Sequence, residues 1–403
     1  MVEEKQSQDV QVLGEVSIAK HTSKITDAMV AELRSQIGKE ISKPLEDWEI
    51  EELKFRTASI LRLCKAIGDF NPLFSDIEYA KKSRSGKQIV PPGIILELEQ
   101  LDPEREGLIG CRAILQTASL EWDIPILLGD ELQGKTLVRD VRDVPSPSDG
   151  GIVVSQEYET IVTKRTGDKV GSVRTSWYSY ERGSAAELSI CGGRELFNYS
   201  RDYIESIHQE YMREEERGVI RGAQPRYWEE VGIGDELPYI IKGPTTSTRR
   251  VSYTFPMVGM GGGPIGEWYH GFGEGYEQHE KWPALFLINE NGTPEPVESV
   301  EWWNERAQKF LGLPGAIEAN SERLQWTVQL LTNWQGDSGF LRKLELEFPK
   351  INLLGDISRC YGKIKGKRVE EGKHVVEIEV WNTNQVGDRV TTGSAEVILP
   401  SKT

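Results

Sequence analysis

Residues 121–141 read EWDIPILLGDELQGKTLVRDV, and residues 345–366 read ELEFPKINLLGDISRCYGKIKG. Each holds a proline, then Leu-Leu-Gly-Asp, then a run into strand-like sequence. The aspartates, Asp130 and Asp356, stand 226 positions apart. Upstream, SDIEYAKKSRSG (75–86) and WWNERAQKFLG (302–312) share a short, acidic, alanine-anchored helical pattern, with Ala80 and Ala307 offset by 227. Downstream, TKRTGDKVGSVRTSWYSY (163–180) matches TNQVGDRVTTGSAEVILP (383–400), with Gly167 and Gly387 offset by 220. Three anchors in one order, at nearly one offset, indicate an internal duplication.

Outward from those anchors, each copy ends in period-two segments, Ile152–Val162 and Val375–Val380, closed by Gly-Asp turns and followed by another strand. Each copy also opens on a helical stretch, Ile60–Ile67 and Leu324–Leu331. A helix wrapped by a long antiparallel sheet, present twice, is an α+β arrangement. The expected domains are 1–182, led by an amphipathic helix within ITDAMVAELRSQIGKEI (25–41), and 225–403. Residues 183–224 are expected to form a surface connection. The anchor offsets place an insertion in the second copy at roughly 261–296, rich in Gly, Trp, Tyr and His. Segments of that kind either carry function or cover apolar surface.

Composition narrows the function. Over 403 residues, 48 Lys and Arg face 64 Asp and Glu, giving a net charge of −16. An acidic chain is a poor match for a phosphate backbone or an anionic membrane surface, so neither nucleic acid nor membrane is an expected partner. No run reaches the roughly 18 apolar residues of a spanning helix, and MVEEKQSQDVQVLGE lacks a signal-peptide layout. Cys64, Cys111, Cys191 and Cys360 are widely spaced, which predicts reduced, buried thiols in a cytoplasmic protein and no metal site. Two glycine motifs are discounted. Gly129–Thr136 (GDELQGKT) has P-loop spacing but runs into a strand pattern, and Gly261–Gly266 (GGGPIG) is interrupted by Pro264.

The run Ala66–Gly93, AIGDFNPLFSDIEYAKKSRSGKQIVPPG, resembles the MaoC-like hydratases and dehydratases. Their motif reads Gly-Asp-x-Asn-Pro, an apolar residue, His-x-Asp, then a short helix and a glycine turn. With the duplication, the whole chain looks like a tandem (double) hotdog of that group, over about 25–182 and 225–400, each copy a long central helix wrapped by an antiparallel sheet. The resemblance implies an acyl-CoA hydro-lyase that adds or removes water across the α,β bond of an enoyl- or 3-hydroxyacyl-CoA thioester. It implies no cofactor beyond the coenzyme A of the substrate, and a homodimer or a hetero-oligomer with another hotdog chain. In this family an Asp and a His exchange protons through a held water while backbone amides polarise the thioester.

Residue by residue, Asp69 and Asn71 match the motif, Phe74 stands where the His belongs, and Gly93 sits at the turn expected near the carbonyl. Phenylalanine exchanges no proton, so Asp69 is open to two readings: a catalytic carboxylate, or a helix cap beside a binding tunnel. The Ala80 to Ala307 register places Glu301 opposite Phe74 in copy two. Glu301 is a candidate base there, or a solvated carboxylate at a helix start. In the insertion His270, flanked by Trp268 and Tyr269, is a second acid–base candidate, with His279, Glu274, Glu277 and Glu280 nearby. Trp334 and Asp337, in TNWQGDSGFLRKL (332–344), form a turn that either packs or rims the acyl-CoA entrance. Arg249, Arg250, Lys343, Lys365 and Lys367 are candidates to meet CoA phosphates. Two other readings stay open: a non-catalytic acyl-CoA-binding subunit, and an acyl-CoA thioesterase.

Overall fold

In the computed structural model, nine antiparallel strands of both copies form one continuous sheet. The structure describes residues 24–41, 56–99, 103–146, 151–253, 286–288, 294–297 and 301–402. Copy one supplies β1 (Arg112–Trp122), β2 (Leu132–Val144), β3 (Val153–Lys164) and β4 (Lys169–Tyr180). Copy two opens with β5 (Ile240–Lys242), which pairs with Ser358–Cys360, and a two-stranded ribbon, β6 (Phe286–Ile288) with β7 (Pro294–Pro296). Copy two supplies β8 (Phe340–Glu347), β9 (Ser358–Glu370), β10 (Lys373–Thr383) and β11 (Arg389–Leu399). The sheet order is β2-β3-β4-β1-β8-β11-β10-β9-β5.

Equivalent strands join the halves. Strand β1 runs antiparallel to β8, with Thr117 opposite Glu347 and Glu121 opposite Lys343. At an offset of 226, Thr117 corresponds to Lys343 and Glu121 to Glu347, so the pairing is pseudo-twofold about Ser119 and Glu345. The duplication persists bond by bond. The Asp130 carboxylate accepts from Leu127 N at 2.8 Å, and Asp356 accepts from Leu353 N at 2.8 Å. Leu128 N donates to Gln88 O at 2.9 Å, as Leu354 N does to Ala316 O at 2.8 Å. Both Leu-Leu-Gly-Asp turns place their glycine at positive φ, 90° at Gly129 and 110° at Gly355, where a β-carbon is disfavoured.

The helices, in order, are α1 (Asp27–Ser35), α2 (Thr57–Ile67), α3 (Pro72–Ser75), α4 (Ile77–Lys82), α5 (Ala185–Ser189), α6 (Arg201–Met212), α7 (Asn304–Leu311) and α8 (Asn320–Gln335). Thr26 caps α1, whose Val30 and Leu33 pack on Val138, Val141 and Val154 of copy one, as the amphipathic pattern implies. Every residue of α8 except Ser321 is buried, because the sheet wraps it. It is the long central helix expected of copy two.

Copy one differs from that expectation. The equivalent position is taken by Pro92–Glu99 as a 3-10 segment. A β-carbon on Gly134 of β2 would lie 2.0 Å from Leu98 O, so the sheet rests directly on this backbone. Pro91 and Pro92 also bias the entry away from α geometry. The helix read at Ile60–Ile67 does exist, as part of α2, but it is not the counterpart of Leu324–Leu331. The connection between copies is more than a surface loop. Helix α6 packs Ile207 against Ile241 and Ile357, and Glu210 receives both Nε (2.7 Å) and Nη2 (2.8 Å) of Arg359. All four cysteines are buried and unbridged. Among the described residues no helix is long and apolar enough to cross a membrane.

Candidate functional site

The Gly-Asp-Phe-Asn-Pro run folds for local reasons. Gly68 ends α2 in the left-handed region, at φ 68°, a common helix stop for glycine. Asp69 accepts from Asn71 N at 3.0 Å, closing a tight Asx turn. Asn71 then caps α3, accepting from Leu73 N at 3.0 Å, with Pro72 at the first helical position. Asp76 caps α4 in turn, accepting from Glu78 N and Tyr79 N.

This loop of copy one is held by copy two. On α8 the side chains of Glu322, Gln325, Gln329 and Asn333 recur at helical spacing and are buried. Gln329 donates to Gly68 O at 3.0 Å, and Asn333 Oδ1 accepts from the Asn71 amide at 3.0 Å. Gln325 donates to Gly93 O at 3.1 Å, and a β-carbon on Gly93 would lie 2.1 Å from its Oε1. From β5, Lys242 donates to Ile67 O at 3.2 Å and Gly68 O at 2.8 Å. Arg249 reaches Ile67 O at 3.3 Å while paired with Glu322 at 2.9 Å. Tyr79 donates to Asp337 at 2.8 Å.

Burial sets the electrostatics. Desolvation pushes the Asp69 carboxyl from the usual 3.8 up to about 6, against the pull of the Asn71 N–H and of Lys242. Desolvation likewise lowers Lys242 to about 8, with the Arg249 charge acting in the same direction. Nearby, burial raises Glu97 to about 7, although Tyr253 donates to it at 3.3 Å.

Of the sequence candidates, the loop of Asp69 and Asn71 and the turn at Gly93 lie along one stripe of α8, against Asn333, Gln329 and Gln325. Phe74 is close in the chain but 2% exposed, packed in the main core, with its carbonyl accepting from Gln88. Trp334 is also core, under Arg226 at 4.8 Å, while Asp337 sits partly buried on Tyr79. His270, with the rest of the Trp- and Gly-rich stretch before Phe286, lies outside the described residues.

Glu301 requires a correction. It faces neither Asp69 nor α8 but sits in a buried ion-pair network, receiving Arg112 Nη1 at 3.0 Å, Arg112 Nη2 at 2.6 Å, and Arg182. Arg112 also binds Glu187, and Arg182 binds Glu104. Although burial opposes ionisation, the two guanidinium groups hold the Glu301 carboxyl below its usual range. A carboxylate so held is a weak proton acceptor.

The CoA-phosphate candidates are also committed elsewhere. Arg249 is engaged as above, Lys343 pairs with Glu345 at 2.9 Å, and Lys365 with Glu379 at 3.2 Å. Lys367 donates to Val231 O at 2.6 Å and lies over Trp228. The discounted P-loop match leads into β2, not a helix. Sequence reasoning missed Lys242, Gln325, Gln329 and Asn333. The α8 residues carry a readable signal, a polar stripe at 322, 325, 329 and 333 inside an apolar helix. Lys242 carries none, since a lysine closing a short apolar run is ordinary.

Residues 35–173 match the family described as FAS1-like, dehydratase domain region. That segment holds the Asp69 loop and most of the copy-one sheet. The whole chain shares the double hotdog fold of solved relatives. One, a MaoC-like dehydratase, is 15% identical with a TM-score of 0.59, covering 92% of this chain and 100% of its own. A MaoC domain protein dehydratase from Chloroflexus aurantiacus is 8% identical with a TM-score of 0.52, over 87% and 93% of the two chains. A Mycobacterium tuberculosis protein with a double hotdog fold, essential for bacterial survival during infection, is 9% identical with a TM-score of 0.51, over 86% and 92%. No curated protein sequence matches the chain.

Proposed function

We propose that the chain is an acyl-thioester hydro-lyase whose working carboxylate is Asp69, at the contact between the copy-one motif loop and α8 of copy two. The observation that carries this reading is the buried Asp69, raised to about 6 and held in an Asx turn among amides. A carboxyl of that affinity takes and returns a proton near neutrality. In hydration, Asp69 accepts a proton from water, the oxygen bonds to the β-carbon, and electrons move toward the thioester oxygen. The α-carbon then takes up a proton, giving the 3-hydroxyacyl thioester. Gly93, at the start of the 3-10 segment, is the candidate backbone donor to that oxygen. Coenzyme A enters as part of the substrate, and no separate cofactor is assigned a role.

The test mixes the full chain with a panel of 2-enoyl-CoA thioesters and follows enoyl-thioester absorbance. Loss of absorbance with a 3-hydroxyacyl-CoA product, abolished in Asp69→Asn, supports the reading. Release of free thiol assigns a thioesterase instead. Thioester binding without turnover assigns a binding subunit, the reading that Phe74 favours because it removes the motif's second proton-exchanging group.

A further inference from the structure

Copy one lacks an imidazole at position 74, yet the structure brings another ionisable group to the same loop from the other copy. Lys242 is the last residue of the edge strand β5, where it pairs with Ser358, and it is 5% exposed. Its ammonium crosses to copy one and donates to Ile67 O and Gly68 O, the two carbonyls that precede Asp69. A β-carbon on Gly68 would lie 3.3 Å from Lys242 Nζ, a tight contact that the glycine relieves in addition to suiting its positive φ. Arg249 donates a second bond to Ile67 O, and Gln329 donates a second bond to Gly68 O. A buried lysine bonded to backbone oxygens bears a desolvation cost, which a purely structural clamp could avoid with an amide.

We infer that Lys242 is a positioning residue for Asp69, fixing the Ile67–Gly68 carbonyls and supplying from copy two the positive charge that keeps the Asp69 carboxylate ionised for proton exchange. This rests on the hydro-lyase reading. Among the described residues, the charged and titratable groups that act on Asp69 are Cys64 and Lys242, and those that act on Lys242 are Arg249, Asp69, Glu214 and Cys360. The cation is thus the group in this set that favours Asp69 ionisation. Without it, Asp69 holds its proton to higher pH and less of the basic form is present at neutrality.

Three variants separate charge from clamping: Lys242→Met removes both, Lys242→Gln keeps a donor without charge, and Lys242→Arg keeps both. No carbonyl is orphaned in Lys242→Met, since Arg249 still reaches Ile67 O and Gln329 still reaches Gly68 O. Thermal midpoints confirm folding. The Asp69 titration is read without turnover, from the protonated-carboxyl infrared band in each protein minus its Asp69→Asn counterpart. Lys242→Met and Lys242→Gln are expected to raise that midpoint by about 1 pH unit, the low end for removing an opposite charge at close range. The acidic limb of kcat/KM moves with it, and kcat falls roughly tenfold or more with KM nearly unchanged, as a displaced reacting group predicts. Lys242→Arg is expected to stay near the native midpoint. An unmoved midpoint in both neutral variants overturns the inference, whatever the activity. A moved midpoint in a chain that hydrates no thioester overturns the hydro-lyase reading and leaves only the electrostatic coupling.

Discussion

Asp69→Asn is expected to make the protein more stable while removing its activity. The folded state raises this carboxyl from 3.8 to about 6, and at about 1.36 kcal/mol per pH unit the ionised group costs the fold on the order of 3 kcal/mol. The sign follows from proton counting. Between pH 4 and 6, roughly, the folded chain holds a proton at Asp69 that the unfolded chain has lost, so stability falls as pH rises through that window. Above it the cost is complete; below it both states are protonated and the cost disappears. Asparagine has the same shape, keeps an oxygen for the Asn71 N–H now at 3.0 Å, and never ionises. The attraction to Lys242 is already contained in the value of about 6, so the variant should gain about 1–3 kcal/mol above pH 7. The assay is urea unfolding of native chain and variant at pH 8 and pH 4.5. The variant should lead clearly at pH 8, and the gap should shrink to roughly a third at pH 4.5. A variant less stable than the native chain at pH 8, or a gap independent of pH, would refute the reasoning.

Other positions make separate predictions. Glu301→Gln should destabilise by about 3–5 kcal/mol near neutrality, because it leaves Arg112 and Arg182 buried with one carboxylate fewer. The lowered affinity of Glu301 means that its contribution is present above the unfolded value and lost as pH falls through the folded one, so the difference should shrink on acidification. Turnover per folded molecule should be unchanged; its loss with the melting point intact would restore Glu301 to the mechanism. Gly93→Ala drives a β-carbon to 2.1 Å from Gln325 Oε1 and should cost about 1–3 kcal/mol. A double-mutant cycle with Gln325→Ala should recover most of that cost, and strict additivity would contradict the contact. Asn71→Ala should lose about 0.5–2 kcal/mol for the cap. It loses about 1–3 kcal/mol more for the unpaired Asn333 oxygen, whereas Asn71→Ser should restore only the cap. An Asn71→Ser variant as stable as the native chain, measured by urea unfolding, would argue against the bond between copies.

Much of the fold is legible because its signals are local. Strand alternation, the Gly-Asp turns and the two Leu-Leu-Gly-Asp anchors depend on a few neighbouring residues, and the structure repeats those anchors hydrogen bond by hydrogen bond. The motif loop is legible for the same reason: Gly68, Asp69, Asn71 and Pro72 each meet a backbone requirement set within five residues. The central helix of copy one was misplaced because Ile60–Ile67 and Leu324–Leu331 have the same periodicity, and periodicity does not say which helix a sheet encloses. That depended on how closely Gly134 lets the strands approach Leu98.

The sequence by itself determined the duplication, the antiparallel hairpins and the candidacy of Asp69 and Asn71. Tertiary structure alone decided that Asp69 is buried beside α8 and that Glu301 is held by two guanidinium groups. Glu301 reads as a candidate base until Arg112 and Arg182, more than a hundred positions away, are placed around it. Lys242 reads as an ordinary strand residue until β5 carries its ammonium to the carbonyls before Asp69. Both outcomes are set by burial and by charges brought close from distant parts of the chain, and neither quantity exists until the two copies pack.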